Sequence, residues 1–274
     1  MKPDPRFLGR SLRFWAHAKF LSEQIGYSQR SGGQLRRYQT HEAHKVLVQS
    51  DLFSYAHQIA NDELIADVIE YLNWRADTLN QKVAPMFMNR EQAAAEFEAT
   101  RLKTRPTRLL GMNKQKGEKR HPAYLAGLVG MIAESVLGPT GYIDDARRLS
   151  VLTRDNMLEG VFSRRFDGAT PDTKNPRAVW EIKEYYGTTT FGSRVADGVY
   201  ETLLDGYEIE SARRELGIEI AHFLFIDDRF TWWDCGRSYL CRMIDMLHTG
   251  HVDQVFFGRE VLTEWEKALR DLDL

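Results

Sequence analysis

The chain has 274 residues, of which 43% are hydrophobic and 28% charged, and a net charge of −2; this is the composition of a soluble globular protein with one large or two small domains. No apolar run approaches the length of a membrane span, no signal peptide is recognisable, and the two cysteines, Cys235 and Cys241, form no zinc or disulfide pattern. We therefore expect a cytoplasmic protein with reduced thiols.

The N-terminal segment is predicted to be helical and basic. Apolar residues recur at helical spacing from Arg6 to Ile25, with arginine and lysine side chains between them. A glycine turn follows, and a new element begins at residues 34–38. The order of helix, turn and new element resembles a helix-turn-helix. In that arrangement Arg36 and Arg37 would face DNA. The alternative is a helical lid with exposed arginines.

The next helices are acidic and lead into a strongly basic segment. Helical patterns cover residues 41–59, 62–82 and 91–102. Eight of the twenty residues from 101 to 120 are Lys or Arg, so we expect contacts with a phosphate backbone here; a solvated linker is the alternative. The candidate DNA contacts are Lys114, Lys116, Lys119 and Arg120. We place a domain boundary here, between a helical domain (1–120) and a second domain (121–274).

The second half has the alternating helix and strand patterns of an α/β domain. Helices are predicted over residues 122–137 and 192–216. Residues 218–226 form an almost wholly apolar run, which is typical of a central strand covered on both faces. Further strands are predicted over 149–153, 157–166 and 252–257. Antiparallel strands followed by a helical crossover to a further strand make a mixed central sheet flanked by helices, and we predict this α/β fold for the second half. The first half is predicted to be an N-terminal all-helical domain.

One hairpin in this half carries a group of charged residues. Pro171-Asp172 ends a strand, a turn follows, and Glu181-Ile182-Lys183 lies on the returning strand. Because side chains alternate between the faces of a strand, Glu181 and Lys183 share a face, and Asp172 is expected to meet Glu181 across the hairpin. Carboxylate oxygens are ligands that Mg²⁺ prefers, and the lysine can orient a water molecule or meet the charge of a phosphate.

This pattern resembles the PD-(D/E)XK nuclease superfamily, the fold of many type II restriction endonucleases, over residues 122 to about 258. The resemblance implies a restriction-endonuclease-like core and a Mg²⁺-dependent endonuclease that hydrolyses double-stranded DNA. Asp172, Glu181 and the carbonyl of Ile182 would bind the metal, and Lys183 would act in catalysis. In this superfamily a helix before the first strand often adds a carboxylate, and Glu134 matches that position. Restriction enzymes that cut palindromes are usually two-fold dimers, so a homodimer is implied.

Several alternatives stay open at this point. Only eight residues separate Asp172 from Glu181, so the hairpin must be tight. Asp167 could replace Asp172 as a ligand if the strand ends later than predicted, and Glu184 could replace a motif carboxylate. The pair Asp227-Asp228 ends the central strand, where α/β proteins place metal and phosphate sites, although helix capping also explains it. The same residues fit a nuclease of another phage-defence, transposition or repair system. A non-enzymatic DNA-binding regulator is the alternative outside the enzymes.

Overall fold

The computed structural model describes residues 1–28, 33–52, 62–113, 121–186 and 193–272. The α-helices are α1 (Leu12–Ile25), α2 (Thr40–Gln49), α3 (Asp62–Thr78), α4 (Arg90–Thr104), α5 (Tyr124–Leu137), α6 (Ser193–Leu216), α7 (Arg237–His248) and α8 (Val261–Arg270). The strands are β1 (Ile143–Asp144), β2 (Val151–Arg154), β3 (Met157–Val161), β4 (Gly168–Thr170), β5 (Ala178–Glu184), β6 (Ala221–Asp227) and β7 (Gln254–Phe257). Within these ranges no helix is both long and apolar enough to cross a membrane.

The central sheet has five strands in the order β1-β4-β5-β6-β7. β4 pairs in the antiparallel sense with β1 and with β5, whereas β6 pairs in the parallel sense with β5 and with β7. The two parallel connections contain helices, α6 between β5 and β6 and α7 between β6 and β7. The predicted mixed α/β class with a mixed central sheet is therefore confirmed.

Side-chain alternation explains how both faces of the sheet are covered. Trp180 and Phe225 point to one face, where they pack with residues of α5 and α8. Leu224 and Ile226 point to the other face and pack with residues of α6 and α7. Glu181 is in register with Leu224, and the residue two positions later on β5 is in register with Ile226. The charged face of β5 is therefore turned toward α6.

The hairpin β2–β3 is a separate two-stranded sheet and does not supply the first strands of the central sheet, so that prediction was wrong. Most of β3 is exposed, including the side chains of Met157 and Leu158, and a central strand covered on both faces could not tolerate this. The strand beside β4 is instead β1, which has two residues. Two residues are too few for the alternating pattern by which a strand is detected in a sequence.

The N-terminal helices share their packing with the second half of the chain. Nη1 of Arg75 in α3 lies 2.8 and 2.9 Å from the two carboxylate oxygens of Asp245 in α7, and Arg75 is 1% exposed. In α4, Phe97 lies directly over Gly127 of α5, where a Cβ atom would come within 2.3 Å of the phenyl ring. The division predicted at residue 120 thus falls between two helices, α4 and α5, that pack on each other.

The predicted helix-turn-helix is not formed by residues 33–39. Leu35 pairs with Ser28 in an antiparallel bridge, residues 36–39 have no regular secondary structure, and α2 begins only at Thr40. Gly26 ends α1 at a positive φ of 94°, so the predicted glycine turn does occur. Residues 53–60, which include the end of the helix predicted over 41–59, lie outside the described part of the chain.

Candidate active site

The pairing of β4 with β5 decides which carboxylate lies near Glu181. Gly168 is paired with Trp180, so the next pair of positions outward is Asp167 and Glu181. Close packing holds this register, because a Cβ atom on Gly168 would lie 2.0 Å from the indole ring of Trp180. Beyond the last pair, Asp167 accepts a hydrogen bond of 2.8 Å from the backbone amide of Ile182. The strand pair therefore brings Asp167 to the Glu181-Ile182-Lys183 segment.

Asp172 lies at the other end of β4, so its predicted contact with Glu181 was wrong. In an antiparallel pair the end of one strand faces the start of the other, so the end of β4 faces Ala178, the partner of Thr170. Glu181 is three positions beyond Ala178, or about 10 Å along the strand. Asp172 instead forms an ion pair of 2.6 Å with Arg148. Hydrogen bonds from Arg148 and Thr173 outweigh partial burial and lower the pKa of Asp172. The alternative residue, Asp167, occupies the position expected for Asp172.

Glu181 and Lys183 belong to a network of ion pairs that includes two residues of α6. Nζ of Lys183 is 2.9 Å from Glu181 and 2.8 Å from Glu201. Nη1 of Arg164 is 2.9 Å from Glu181 and 2.7 Å from Asp205, and its Nη2 is 3.3 Å from Glu201. Because they are four residues apart, Glu201 and Asp205 lie on one side of α6. We call these five residues the ion-pair network.

The carboxylates at this place outnumber the cations. With Asp167 included, four carboxyl groups face two cationic side chains. Burial and the nearby charge of Glu181 raise the pKa of Asp167 and that of Asp205 to about 7. Glu181 is 1% exposed and Asp205 is 0% exposed, yet Oε1 of Glu181 and Oδ1 of Asp205 accept no hydrogen bond from the described residues. Oε1 of Glu181 has an ion-pair contact with Arg164 but lacks hydrogen-bond geometry.

Lys183 is held in its charged form. Burial by itself would lower the pKa of its ammonium group, but the charges of Glu181, Asp167 and Glu201 outweigh burial and raise the pKa above its ordinary value. A lysine in this state cannot accept a proton near neutral pH. It can donate hydrogen bonds and stabilise negative charge.

A cavity of about 410 Å³ opens beside Asp167, and its described lining does not include the five residues of the ion-pair network. Its lining includes Asp167 and Ile182, and also Glu184. Both carboxylate oxygens of Glu184 accept hydrogen bonds of 3.0 Å from backbone amides at the start of α5, and burial raises the pKa of this residue to about 7. Glu184 therefore caps α5. Asp167 lines the cavity, whereas Glu181 is not among its described lining residues.

Glu134 borders the same cavity but does not belong to the ion-pair network. One of its oxygens accepts hydrogen bonds of 2.8 and 2.5 Å from the backbone amide and the hydroxyl of Thr107. The other oxygen accepts a longer bond, 3.4 Å, from the backbone amide of Arg108. These bonds outweigh partial burial and lower the pKa of Glu134. Through these hydrogen bonds Glu134 attaches the loop 105–113 to α5.

The predicted DNA-contacting residues fall into two groups. Arg36 is bound to Glu42, with 2.6 Å between Nη2 and Oε1, and Arg37 is paired with Asp77, so both arginines are engaged within the protein. The other four, Lys114, Lys116, Lys119 and Arg120, lie outside the described residues.

The two aspartates that end β6 have structural partners. Asp227 accepts hydrogen bonds from the backbone amide of Met88 and from the hydroxyl of Tyr186, and burial raises its pKa to about 7. Asp228 accepts bonds from the amide and hydroxyl of Thr231 and so caps the turn that follows. Capping and core hydrogen bonding therefore account for this pair.

The sequence interpretation missed three residues of the ion-pair network. Glu201 and Asp205 could have been found, because they are two carboxylates four positions apart on the helix that follows the Glu-x-Lys strand. Arg164 could not have been found in this way. It lies in the irregular segment between β3 and β4, and only the path of that segment brings its guanidinium group to Glu181.

The donor atoms near Asp167 are oxygens, the element that magnesium ions prefer as ligands. Asp167 and Glu181 offer carboxylate oxygens, and the carbonyl of Ile182 is a third oxygen donor. Buried carboxylate oxygens without a hydrogen bond also favour a further cation. In the described ranges, however, no group of three or more Asp, Glu, His or Cys residues already has the spacing of a metal site. Ion pairs to Arg164 and Lys183 set the present positions of the carboxylates.

Two domain families match the chain. One domain of unknown function (DUF7690) matches residues 1–82, and another (DUF7687) matches residues 88–272. The two matches meet between residues 82 and 88, N-terminal to the boundary predicted at residue 120. No curated protein and no solved structure matches the chain. Because the second match covers more than half of the 274 residues, the chain belongs to the DUF7687 family.

Proposed function

We propose that the protein is a metal-dependent nuclease of the PD-(D/E)XK type that hydrolyses phosphodiester bonds in double-stranded DNA. The observation that carries the proposal is the position of Asp167 across the strand pair from Glu181, with the ammonium group of Lys183 2.9 Å from Glu181. Two acidic residues and a lysine on neighbouring antiparallel strands are the pattern of that superfamily. Here Asp167 takes the place that the sequence suggested for Asp172.

The order of the elements around the site supports the same proposal. α5 precedes β1, β4 and β5, which pair in the antiparallel sense, and α6 then leads to the parallel strand β6. This is the order of helix, three strands, helix and strand that the resemblance implies. The hairpin β2–β3 is an insertion between the first and second of these strands.

In this proposal Asp167, Glu181 and the carbonyl of Ile182 hold Mg²⁺. The ion, when bound, supplies electrostatic stabilisation of the charge that develops on the phosphate. Lys183 keeps its proton, so it acts as a hydrogen-bond donor to the attacking water and to the phosphate oxygens. Glu201, 2.8 Å away, holds the ammonium group in place. Water attacks phosphorus and releases a proton to solvent, while the bond from phosphorus to the 3′ oxygen breaks and that oxygen takes up a proton. The products are a 3′-hydroxyl and a 5′-phosphate.

Among DNA nucleases we favour a type II restriction endonuclease that acts as a homodimer, since one active site must reach each strand of a palindrome. A nuclease of another phage-defence, transposition or repair system uses the same residues. Sequencing the ends of the cut DNA separates these possibilities. One recurring short sequence at the ends identifies a restriction enzyme, and dispersed ends identify one of the other systems.

The proposal is tested by incubating the protein with plasmid DNA and MgCl₂ and following nicked and linear products. We expect Glu181→Gln and Lys183→Ala to lower the cleavage rate by about 100-fold or more, since each removes a charge that acts in the transition state. The matched control is Lys174→Ala, which removes an exposed lysine in the turn between β4 and β5. It should cut like the wild type.

Circular dichroism spectra and thermal midpoints of each variant show whether the fold is kept. Cleavage that persists in both Glu181→Gln and Lys183→Ala would refute the proposed site. Tight DNA binding that needs no metal, together with no cleavage by the wild type under any divalent ion, would instead favour the non-enzymatic regulator.

A further inference from the structure

Arg164 occupies the centre of the ion-pair network. Its Nη1 atom lies 2.9 Å from Glu181 and 2.7 Å from Asp205, and its Nη2 atom lies 3.3 Å from Glu201. It is the residue that joins the motif glutamate of β5 to both carboxylates of α6. One guanidinium group thus contacts three carboxylates that come from two elements.

The guanidinium group of Arg164 contacts a carboxylate, that of Glu181, which is also a ligand of the proposed metal site. Glu181 and Asp205 are almost completely buried; Oδ1 of Asp205 accepts no hydrogen bond from the described residues, and Oε1 of Glu181 has an ion-pair contact with Arg164 that lacks hydrogen-bond geometry. The three carboxylates of the network therefore share two positive charges, those of Arg164 and Lys183. A doubly charged ion held by Asp167, Glu181 and the carbonyl of Ile182 would offset more of the negative charge of Glu181 than the guanidinium group does.

The anchoring of Arg164 allows its side chain to leave this position. The flanking residues Phe162 and Phe166 are buried, and their rings contact each other with centroids 5.2 Å apart, so the backbone on both sides is held. The side chain of Arg164 itself is 24% exposed, and it therefore reaches solvent. Lys183 keeps a partner in Glu201 when Arg164 moves away.

We propose that Arg164 is an internal counter-ion that competes with the metal: it neutralises Glu181 and Asp205 in the metal-free protein, and metal binding displaces it from Glu181. The inference rests on the proposed function, because it concerns the same metal site. It goes further by assigning to Arg164 a positioning role that sets metal affinity. Displacement also leaves a guanidinium group beside the site, where a phosphate can meet it.

The test measures binding of MnCl₂ to the full chain without DNA, by electron paramagnetic resonance of the free ion. Arg164→Met should bind Mn²⁺ about tenfold more tightly than the wild type or better, because a competing unit charge a few ångström away is gone. Its thermal midpoint should be lower than that of the wild type in EDTA and should rise more on addition of MnCl₂. The matched control is Arg148→Met, which breaks the ion pair with Asp172 and should bind Mn²⁺ like the wild type.

A second pair of variants keeps the test valid if Arg164→Met does not fold. Arg164→Met/Asp205→Asn removes one positive and one negative charge together, and it should bind Mn²⁺ more tightly than Asp205→Asn alone. Equal or weaker binding in both comparisons, with wild-type binding that is lost in Asp167→Asn, overturns the role of Arg164 and leaves the nuclease site standing. Absence of Mn²⁺ binding in the wild type and in all variants overturns the proposed metal site as well.

Discussion

The backbone amide of Ile182 donates a hydrogen bond of 2.8 Å to the side chain of Asp167. This bond attaches the N-terminal end of β4 to the part of β5 that carries Glu181 and Lys183. It gives Asp167 a fixed place beside the ion-pair network, while the carboxyl group remains on the wall of the cavity. The bond also explains why Asp167, rather than Asp172, is the carboxylate to test first.

We expect Asp167→Asn to lower Mg²⁺-dependent cleavage by about 100-fold or more, because the amide loses the charge and a ligand oxygen. Asp172→Asn should retain the wild-type rate within about threefold, since Asp172 is paired with Arg148 at the opposite end of β4. Initial rates of plasmid nicking at saturating MgCl₂ measure both. An equal loss in the two variants would show that the site is not organised by the β4–β5 register.

Glu134 is expected to act through the loop 105–113 and not through the metal. Glu134→Ala removes the acceptor of the hydrogen bonds from Thr107 and Arg108, so the loop should open more readily. Trypsin should then cut after Arg105 or Arg108 several times faster than in the wild type, as followed by mass spectrometry. Cleavage of DNA at saturating substrate should fall by less than about tenfold. A loss as large as that of Asp167→Asn would instead make Glu134 a metal ligand.

The buried ion pair of Arg75 and Asp245 joins the N-terminal and C-terminal halves of the chain. It should contribute strongly to the free energy of unfolding. Arg75→Met leaves Asp245 uncompensated in the core and should lower the free energy of unfolding by about 3–5 kcal/mol. Arg37→Met is the matched control, because it breaks an exposed pair with Asp77 and should cost less than about 1 kcal/mol. Urea unfolding followed by tryptophan fluorescence measures both. Similar losses in the two variants would contradict the shared core.

Asp227 should make stability depend on pH. Burial raises its folded-state pKa to about 7, above the ordinary value of 3.8, so the folded state binds a proton that the unfolded state has already released between these values. The stabilisation from this proton is complete below about pH 4 and is lost as the pH rises through about 7. Asp227→Asn has a neutral side chain at every pH and can still accept from Met88 and donate to Tyr186.

The difference between the two proteins isolates this effect. Between pH 5.5 and 8.5 the wild type should lose about 1–2 kcal/mol of unfolding free energy relative to Asp227→Asn. Buried carboxyl groups that have no electrostatic contact with Asp227, such as Asp205, titrate in both proteins and cancel in the comparison. Urea midpoints at the two pH values supply the measurement, and parallel pH profiles would mean that Asp227 stays ionised in the folded protein.

Most of the secondary structure could be predicted from local patterns, and the failures have physical causes. α4 begins at Arg90, one residue before the predicted start, with Asn89 as its N-cap, and the apolar run at 218–226 became β6. The strands at 151–161 were detected, but their place in the fold was wrong, because local alternation does not specify which sheet a strand joins. The two-residue β1 escaped detection.

The sequence by itself determined the mixed α/β fold class, the strands β5, β6 and β7 of the central sheet, and the place of Glu181 and Lys183 on one face of a strand. These follow from side-chain periodicity, which acts over a few residues. Only the tertiary structure decided that Asp167 faces Glu181, and that Arg164, Glu201 and Asp205 complete the network. Strand polarity, register and the crossing of α6 over the sheet set these contacts, and such relations join residues that no local pattern connects.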